Sequence, residues 1–471
     1  MMKNYLFALC LAIAALFGSG HLSQAQTPRS WAQSYGVGSY GGNFRPVDDP
    51  FYGSGTDVPR AMAEMPDGGM VVAGQIDFPK YYAPFVGNPG TSGRANAVLV
   101  RYGADGTVLW QHELHQNNDR LQYSNGNGYY YAAPTRVSQI VVDAAGNIFV
   151  AGGKGNPDNG GSSPFVGKFS SNGDLLWQKG MPTAALHVPG QPPADFTVGV
   201  SGASFMSATN DGGVVVSLLQ GKPNFVNGVV PVLAKFNADG TLALYRAYEN
   251  MVNFYGDSPV AQSRDGSRYV MAFYSSLPNG SGGSLLGTLL ILFDASGNIL
   301  AQNGWLSPDG GGEQPVALIS TSDGGFASLS YIADYDGGVL RKYNADLSAT
   351  AFVKRIKGAS PRHLLLNSLA ETLDGGFLIS GETAGPDSPA SGYDGLLMNV
   401  NAAGALQFSS LIGGPRSEGG PASNGPSSSF AIALANGGYG FAGTTTSYTT
   451  DGPLNGGFSF KSDWWAVRTD A

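Results

Sequence analysis

Two tyrosine-rich segments have the residue types best suited to ligand binding. They read FPKYYAPF from residue 78 and RLQYSNGNGYYYAAP from residue 120. Aromatic rings interleaved with Asn, Ser and Gly offer apolar faces and hydrogen-bonding edges with little charge, which suits neutral glycans or peptides. The alternative is that the rings only cover the apolar surface of their own loops. Six residues are therefore candidate ligand-binding residues: Tyr81, Tyr82, Tyr123, Tyr129, Tyr130 and Tyr131.

Motifs for cofactors and metals are weak. GVGSYG at residues 36–41 matches G-x-G-x-x-G, but the residues after it, GNFRPVDDPFYGSG, cannot form the helix that would hold a pyrophosphate. His112 and His115 in HELH are three positions apart, which places them on opposite faces of a strand. NPDNGGSS at residues 156–163 and TTDGPLNGG at residues 449–457 have too few carboxylates for a strong calcium site. The sequence predicts no metal site and no cofactor, with adventitious calcium left open.

Signatures of catalysis are also missing. The sequence has no G-x-S-x-G motif and no histidine in a recognisable triad context. Glycoside hydrolysis needs two carboxylates a few ångströms apart, a separation that a sequence does not reveal when the two lie in different repeats. Four acids predicted to lie in loops remain candidates without an assigned role: Asp119, Asp257, Glu313 and Asp394. We assign no catalytic residue.

A repeated element must position these loops. It is a glycine turn followed by an apolar strand, as in DGGMVVAG from Asp67 and DGGFLISG from Asp374, and it occurs seven times. A second element, such as VLVRYGADGTVLW from Val98, adds a strand, another glycine turn and a last strand. Asp-Gly and Asn-Gly favour two-residue hairpin turns, so each unit is predicted to be a four-stranded antiparallel meander, with strands a to d from the inside out.

The seventh unit lacks its last strand, and SWAQSYG at residues 30–36 supplies a matching one at the N-terminus. The fold class is therefore all-β: a seven-bladed β-propeller whose last blade is closed by the N-terminal strand. Residues 26–471 form one domain, and Trp31, Trp110 and Trp177 share one register of strand d and are expected to pack between blades. The approximate blades are residues 57–114, 115–181, 182–249, 250–306, 307–356, 357–414, and 415–471 with 29–36.

The repeats resemble those of a known group. VSQIVVDAAGNIFVAGG at residues 137–153 and DGGFLISGET at residues 374–383 are similar to the units of exported bacterial β-propeller repeat proteins, with their SBBP-like and DGG-turn repeats. The resemblance implies a propeller outside the cytoplasm. It transfers no catalytic residues. Two units depart from the pattern, because Ser267 and Leu347 replace turn glycines.

The N-terminus and the composition indicate an exported protein. Residues 1–25 combine Lys3, an apolar run and Ser23-Gln24-Ala25, which is typical of a signal peptide and contains the only cysteine. The net charge of -8 and the absence of a basic stripe argue against nucleic acid as a partner. No later segment is apolar and long enough for membrane insertion. We expect a secreted or periplasmic monomer, which leaves attachment to the cell surface open.

The spacing of the strands predicts that the long loops share one face. The a–b and c–d turns are short, whereas the long segments fall between strands b and c or between d and a. Because binding residues concentrate on loops held by a rigid scaffold, this face is the expected binding surface. The sequence favours a non-enzymatic module that binds or scaffolds a protein or a polysaccharide. The alternative is a carbohydrate-active hydrolase or lyase with its site in the central funnel.

Overall fold

The computed structural model describes the strands and tight turns of the chain. It covers residues 30–35, 58–77, 95–114, 122–124, 129–131, 136–155, 162–181, 205–221, 229–248, 254–255, 258–278, 283–306, 312–332, 337–357, 364–383, 394–412, 429–445 and 463–470. All regular secondary structure in these ranges is β-strand. No helix able to cross a bilayer occurs within them. The predicted signal peptide lies outside the described residues.

Seven antiparallel sheets follow one another along the chain. Blade 1 contains β2 (Val58–Glu64), β3 (Met70–Asp77), β4 (Ala95–Tyr102) and β5 (Val108–Leu114), and the separate hairpin of β6 (Gln122–Ser124) and β7 (Tyr129–Tyr131) follows it. Blade 2 contains β8 (Arg136–Val142), β9 (Ile148–Gly155), β10 (Ser162–Phe169) and β11 (Leu175–Gly180). Blade 3 contains β12 (Phe205–Ala208), β13 (Val214–Gly221), β14 (Val229–Phe236) and β15 (Leu242–Ala247).

The remaining blades repeat this order. Blade 4 contains β16 (Phe254–Tyr255), β17 (Val260–Gln262), β18 (Arg268–Pro278), β19 (Ser284–Asp294) and β20 (Ile299–Trp305). Blade 5 contains β21 (Glu313–Ser320), β22 (Phe326–Ile332), β23 (Gly337–Tyr343) and β24 (Thr350–Lys357). Blade 6 contains β25 (Leu364–Glu371), β26 (Phe377–Thr383), β27 (Asp394–Val400) and β28 (Leu406–Ile412). Blade 7 contains β29 (Phe430–Ala433), β30 (Tyr439–Thr445), β31 (Asp463–Arg468) and β1 (Trp31–Tyr35).

The blades form a closed ring. The inner strands contact one another in the order β2, β8, β12, β17, β21, β25 and β29, and β29 contacts β2 again. The predicted seven-bladed propeller of four-stranded antiparallel blades is therefore confirmed. In blade 7, β1 pairs with β31 in the register Trp31↔Arg468 to Tyr35↔Trp464. Blade 4 differs from the other blades because β16 and β17 pair with β18 as two separate pieces.

The tight turns differ from the predicted two-residue type. In the a–b turn of blade 1, the Gly68 N–H donates to the Met65 carbonyl at 2.8 Å and the Met65 N–H donates to the Gly69 carbonyl at 2.9 Å. Gly68 has φ of 79°, and Leu347 is the one non-glycine residue with positive φ in the described part of the chain. Asp67 therefore keeps a negative φ, as in a type I turn followed by a left-handed glycine.

The second turn glycine has a packing role. A Cβ on Gly69 would lie 2.3 Å from the carbonyl oxygen of Tyr102 on the neighbouring strand c. A Cβ on Gly325 would lie 2.2 Å from the Tyr343 carbonyl in the same way. The Asp-Gly-Gly sequence therefore combines one glycine for the left-handed backbone with one for the close approach of strand c.

The core lies between adjacent blades, as the tryptophan register predicts. The Trp110 Nε1–H donates to the Ser171 carbonyl in the next blade at 3.0 Å, and the Trp177 Nε1–H donates to the Ala238 carbonyl at the same distance. Trp464 is fully buried against blade 1. The side chain of Trp31 lies outside the described residues.

The ring has two different ends. The a–b and c–d turns, such as residues 65–69 and 103–107, lie at what we call the turn end. The b–c and d–a connections leave from the opposite end, which we call the loop end. Apart from the β6–β7 hairpin, nearly all residues of these connections lie outside the described ranges. The strand ends that lead into them are described and form the base of the loop end.

Candidate functional site

Four of the six predicted tyrosines lie in the hairpin between blades 1 and 2. In the β6–β7 pairing, Tyr123 is opposite Tyr130, Ser124 is opposite Tyr129, and Gln122 is opposite Tyr131. This hairpin belongs to a d–a connection, so it leaves the ring from the loop end. Tyr81 and Tyr82 lie outside the described residues. The backbone thus brings four candidates together, and their role in binding stays a prediction.

Inner strands carry a bulge near the loop end. The pairing of strands a and b shifts by one residue at the same place in blades 1, 2, 5 and 6. Such bulges are frequent next to functional sites, because the extra residue turns a side chain in a new direction. The bulged residues are Arg60, Ser138, Val316 and Asn367.

Polar contacts around these bulges differ from blade to blade. The Arg60 Nη2 group donates to Gln75 Oε1 at 3.3 Å within blade 1. In blade 5 the Tyr331 hydroxyl donates to Gln314 Oε1. These contacts do not form part of the repeat. The base of the loop end therefore presents different hydrogen-bonding groups in blades 1 and 5.

A hydroxyl network joins blades 6 and 7. The Asn367 amide donates to the Ser429 carbonyl at 3.0 Å, and the Ser429 hydroxyl donates to the Gly381 carbonyl at 2.6 Å. The hydroxyls of Ser368 and Ser380 lie 2.6 Å apart. Buried polar groups fix their neighbours when each is satisfied, so this network holds the loop end of the two blades in one arrangement.

A buried ion pair lies within blade 5, on the side that faces blade 4. The Arg341 Nε and Nη2 groups donate to the two carboxylate oxygens of Glu313 at 3.0 and 2.7 Å. The Thr288 hydroxyl donates to the Glu313 carbonyl at 3.0 Å. Burial alone would lower the pKa of Arg341, but the hydrogen bonds and charge of Glu313 raise it. Arg341 therefore stays charged, and its guanidinium group holds the Glu313 side chain in a structural ion pair.

The structure corrects the predicted location of the loop acids. Glu313 is the first residue of β21 and is fully buried. Asp394 is the first residue of β27 and pairs in register with Thr383. Asp119 and Asp257 lie outside the described residues. The sequence placed Glu313 in a loop because nothing local shows that a distant arginine will pair with it.

One histidine of the HELH sequence, His112, lies among the described residues. The ring of His112 packs edge-on against Trp110, with centroids 5.6 Å apart. His115 lies outside the described residues. Across the described ranges, no group of three or more His, Cys, Asp or Glu side chains is arranged around a common ion position.

The turn end is built from repeated ion pairs. Arg101 contacts the turn residue Asp67 at 2.5 and 2.6 Å. Lys235 pairs with Asp211 and Lys342 pairs with Asp323 at the equivalent positions. Each acid also accepts a backbone N–H from the second turn glycine. The same contact in three blades indicates a structural role.

These contacts shift the pKa of the turn acids. Burial alone would raise the pKa of Asp323, but hydrogen bonds from Lys342, Thr321 and the Gly325 N–H outweigh it and hold that pKa at about 2. Hydrogen bonds from Ser263 and Ser267 hold the pKa of Asp265 at about 2 as well. The turn acids are therefore ionised at neutral pH and are already used as hydrogen-bond acceptors.

Comparisons with known proteins find solved structures whose overall chain path is similar to that of this chain. No protein-family model matches the chain, and no curated protein matches its sequence. Similar solved structures include a protein of unknown function from Dyadobacter fermentans, 11% identical over 89% of this chain and 96% of that chain, with a TM-score of 0.44. The Dos1 propeller is 10% identical over 88% and 92% of the two chains, with a TM-score of 0.44. The polysaccharide lyase Uly1 is 11% identical over 93% and 92%, with a TM-score of 0.43. With similarity this low, function must be argued from the site itself.

Proposed function

We propose that the protein is an exported module that binds or scaffolds a protein or a polysaccharide on its loop end. The supporting observation is the division of the ring into two ends. Tight turns of the same design occupy one end, whereas the long b–c and d–a connections all leave from the other. Loops held on a rigid scaffold are the usual place for recognition residues.

The chemistry near the loop end supports a ligand with little charge. Amides contact neighbouring groups there in several blades, as Gln75, Gln314 and Asn367 do, and groups of this kind suit neutral hydrogen-bonding partners. The tyrosines Tyr81, Tyr82, Tyr123 and Tyr129 to Tyr131 would add aromatic faces. This combination suits neutral glycans or peptides.

The alternative function is a hydrolase or lyase with its site in the central funnel. Such an enzyme needs acids that converge. In blade 6, Asp394 is the register partner of Thr383, so Glu382 one residue earlier lies on the opposite face of the sheet. Glu313 is held by Arg341. No pair among these three acids converges on the funnel, which supports binding over catalysis there.

A glycan panel tests binding and catalysis in one experiment. Residues 26–471 are incubated with immobilised neutral and acidic polysaccharides, and both retention of the protein and release of soluble sugar are measured. We expect retention without release. Release of reducing ends or unsaturated products would support the hydrolase or lyase instead. If no polysaccharide retains the protein, the proposal narrows to a protein ligand.

Export and association state complete the proposal. The apolar N-terminal segment 1–25 supports a secreted or periplasmic location, which cell fractionation tests directly. We propose a monomer, because the ring closes its inner strands on itself. Light scattering of residues 26–471 should therefore give the mass of one chain.

A further inference from the structure

Two neighbouring depressions cross the turn end from the inner strands to the rim. The inner one has a volume of about 470 Å³ and lies among blades 7, 1 and 2. The outer one has a volume of about 620 Å³ and lies between blades 1 and 2. They share Met65, Pro66 and Asp67, so they form one continuous feature. We call it the turn-end trough.

The outer half of the trough has an apolar wall. Leu109 is 56% exposed there. The pairing of β4 with β5 runs from Arg101↔Trp110 to Tyr102↔Val108, so Leu109 is a bulged residue. Trp110 also lines this half, with its N–H bonded to Ser171 and its ring partly buried against the core between blades 1 and 2. This wall fits an aliphatic or aromatic side chain.

The inner half presents carboxylates in front of buried guanidinium groups. The side chain of Asp67 is 62% exposed, while that of its partner Arg101 is 3% exposed. Glu64 is half-buried and uses Oε2 to accept the Ala435 N–H at 2.8 Å. The nearby Arg468 is buried. Glu64, Asp67 and Asp143 line this half together with one guanidinium group, that of Arg468, so carboxylates outnumber cations in the lining, which favours a cationic ligand.

Blade 1 also departs from the turn design at this place. In blades 3, 4, 5 and 6 the first turn residue is Thr or Ser, and its hydroxyl donates to the turn aspartate. Blades 7, 1 and 2 have Leu434, Met65 and Asp143 instead. These three blades are the ones that line the inner half of the trough. The turn itself does not require the change, because four blades form it with a hydroxyl.

We propose that the turn-end trough binds an extended cationic peptide segment. A lysine or arginine side chain of the segment lies against Glu64 and Asp67, and an apolar side chain packs on Leu109 and Pro66. The site is on the opposite end of the ring from the long connections. It is therefore separate from the binding surface proposed at the loop end.

The test uses a fluorescein-labelled hexapeptide of alternating lysine and leucine, with a glutamate-leucine hexapeptide as the matched probe. Glu64→Gln keeps an oxygen that accepts the Ala435 N–H, so it removes charge with the turn intact. Leu109→Ser removes the apolar wall at an exposed position. We expect each variant to weaken binding of the lysine peptide about tenfold, as the loss of one good contact. The affinity should also fall with added salt.

Leu176→Ser is the matched control. Leu176 is the bulged residue of blade 2, is 52% exposed, and lies outside the trough. It should leave binding unchanged. The proposal is overturned if the glutamate peptide binds as tightly, if Leu176→Ser weakens binding as much as Leu109→Ser, or if Glu64→Gln and Leu109→Ser both bind like the unaltered protein. Absence of binding by the lysine peptide would also overturn it.

Discussion

The two ends of the ring use polar residues differently. At the turn end, the same aspartate accepts the same backbone N–H and pairs with a lysine or arginine of strand c in several blades. At the loop end the contacts differ between blades, such as Arg60 with Gln75 in blade 1 and Glu313 with Arg341 in blade 5. Contacts that repeat from blade to blade stabilise the fold. Contacts that differ between blades lie at the end that carries the long connections.

This difference separates the residues that build the repeated scaffold from the residues whose contacts are particular to one blade. A turn that recurs in blade after blade needs only local residues, because its glycines and aspartate satisfy one another. A contact found once must be held by its own surroundings. The turn-end trough follows the same rule, since it lies where three successive blades depart from the common turn. Departures from the repeat are therefore the positions where function is expected.

The largest expected effect concerns blade 7, whose outer strand is separated from its neighbours in sequence. Deleting residues 26–36 removes β1 and exposes the edge of β31. With about one kcal/mol for each of several lost backbone hydrogen bonds, we expect a loss of about 5 kcal/mol in the free energy of unfolding. Exposed edges also pair with other chains, so aggregation should rise. Urea unfolding and light scattering measure both. An unchanged unfolding midpoint would show that β1 does not stabilise the ring.

The next effect contrasts the buried ion pair with an exposed one. Glu313→Gln leaves the buried Arg341 without its counter-charge and should cost about 4 kcal/mol. Asp323→Asn breaks the pair with Lys342 at the turn end, where the carboxylate is 56% exposed, and should cost less than about 1 kcal/mol. Urea unfolding gives both values.

A double variant sharpens this contrast. Glu313→Leu combined with Arg341→Met removes both buried charges, and most of the lost stability should return. Equal losses for Glu313→Gln and Asp323→Asn would mean that the two ends hold their ion pairs in the same way, against the comparison.

A smaller effect is expected in acid. The folded pKa values of Asp265 and Asp323 are about 2, below the usual value near 4. Their contribution to stability is therefore present above about pH 4 and is lost as the pH falls towards 2. The unfolding midpoint, followed between pH 5 and 2, should decrease across this window. Asp323→Asn should flatten the decrease, and a midpoint that stays constant down to pH 2 would contradict the assignment.

The repeated part of the fold is predictable from sequence because its signals are local. Asp67 and Gly68 specify the turn in which they lie. Trp110 and Trp177 occupy the same position of strand d in two blades, and this repetition predicts their shared packing role. Even there, the predicted two-residue turn type is wrong. The residue with positive φ is the glycine that follows the aspartate, so the aspartate itself keeps a negative φ. Leu347 adopts a φ of 61° in place of glycine and is buried in the core between blades 4 and 5.

The individual contacts are not predictable in this way. The bulge at Arg60 exists only relative to its partner strand, so it leaves no period in the sequence. Arg341 and Glu313 are 28 residues apart, on strands c and a of blade 5, and the folding of that blade brings them together. The candidate tyrosines were found by composition, which selects residue types and leaves their arrangement open.

The most direct test of the central claim measures binding and stability together at both ends. Tyr82→Ala with Tyr130→Ala is compared with Asp105→Ala, whose carboxylate accepts the Thr107 N–H and hydroxyl in a c–d turn. Against the glycan or protein that retains the unaltered chain, we expect the tyrosine variant to lose binding while its stability changes by less than about 0.5 kcal/mol. Asp105→Ala should bind normally with slightly reduced stability. A tyrosine variant that loses more than about 2 kcal/mol of stability and still binds would contradict the account, because those rings would then be core residues.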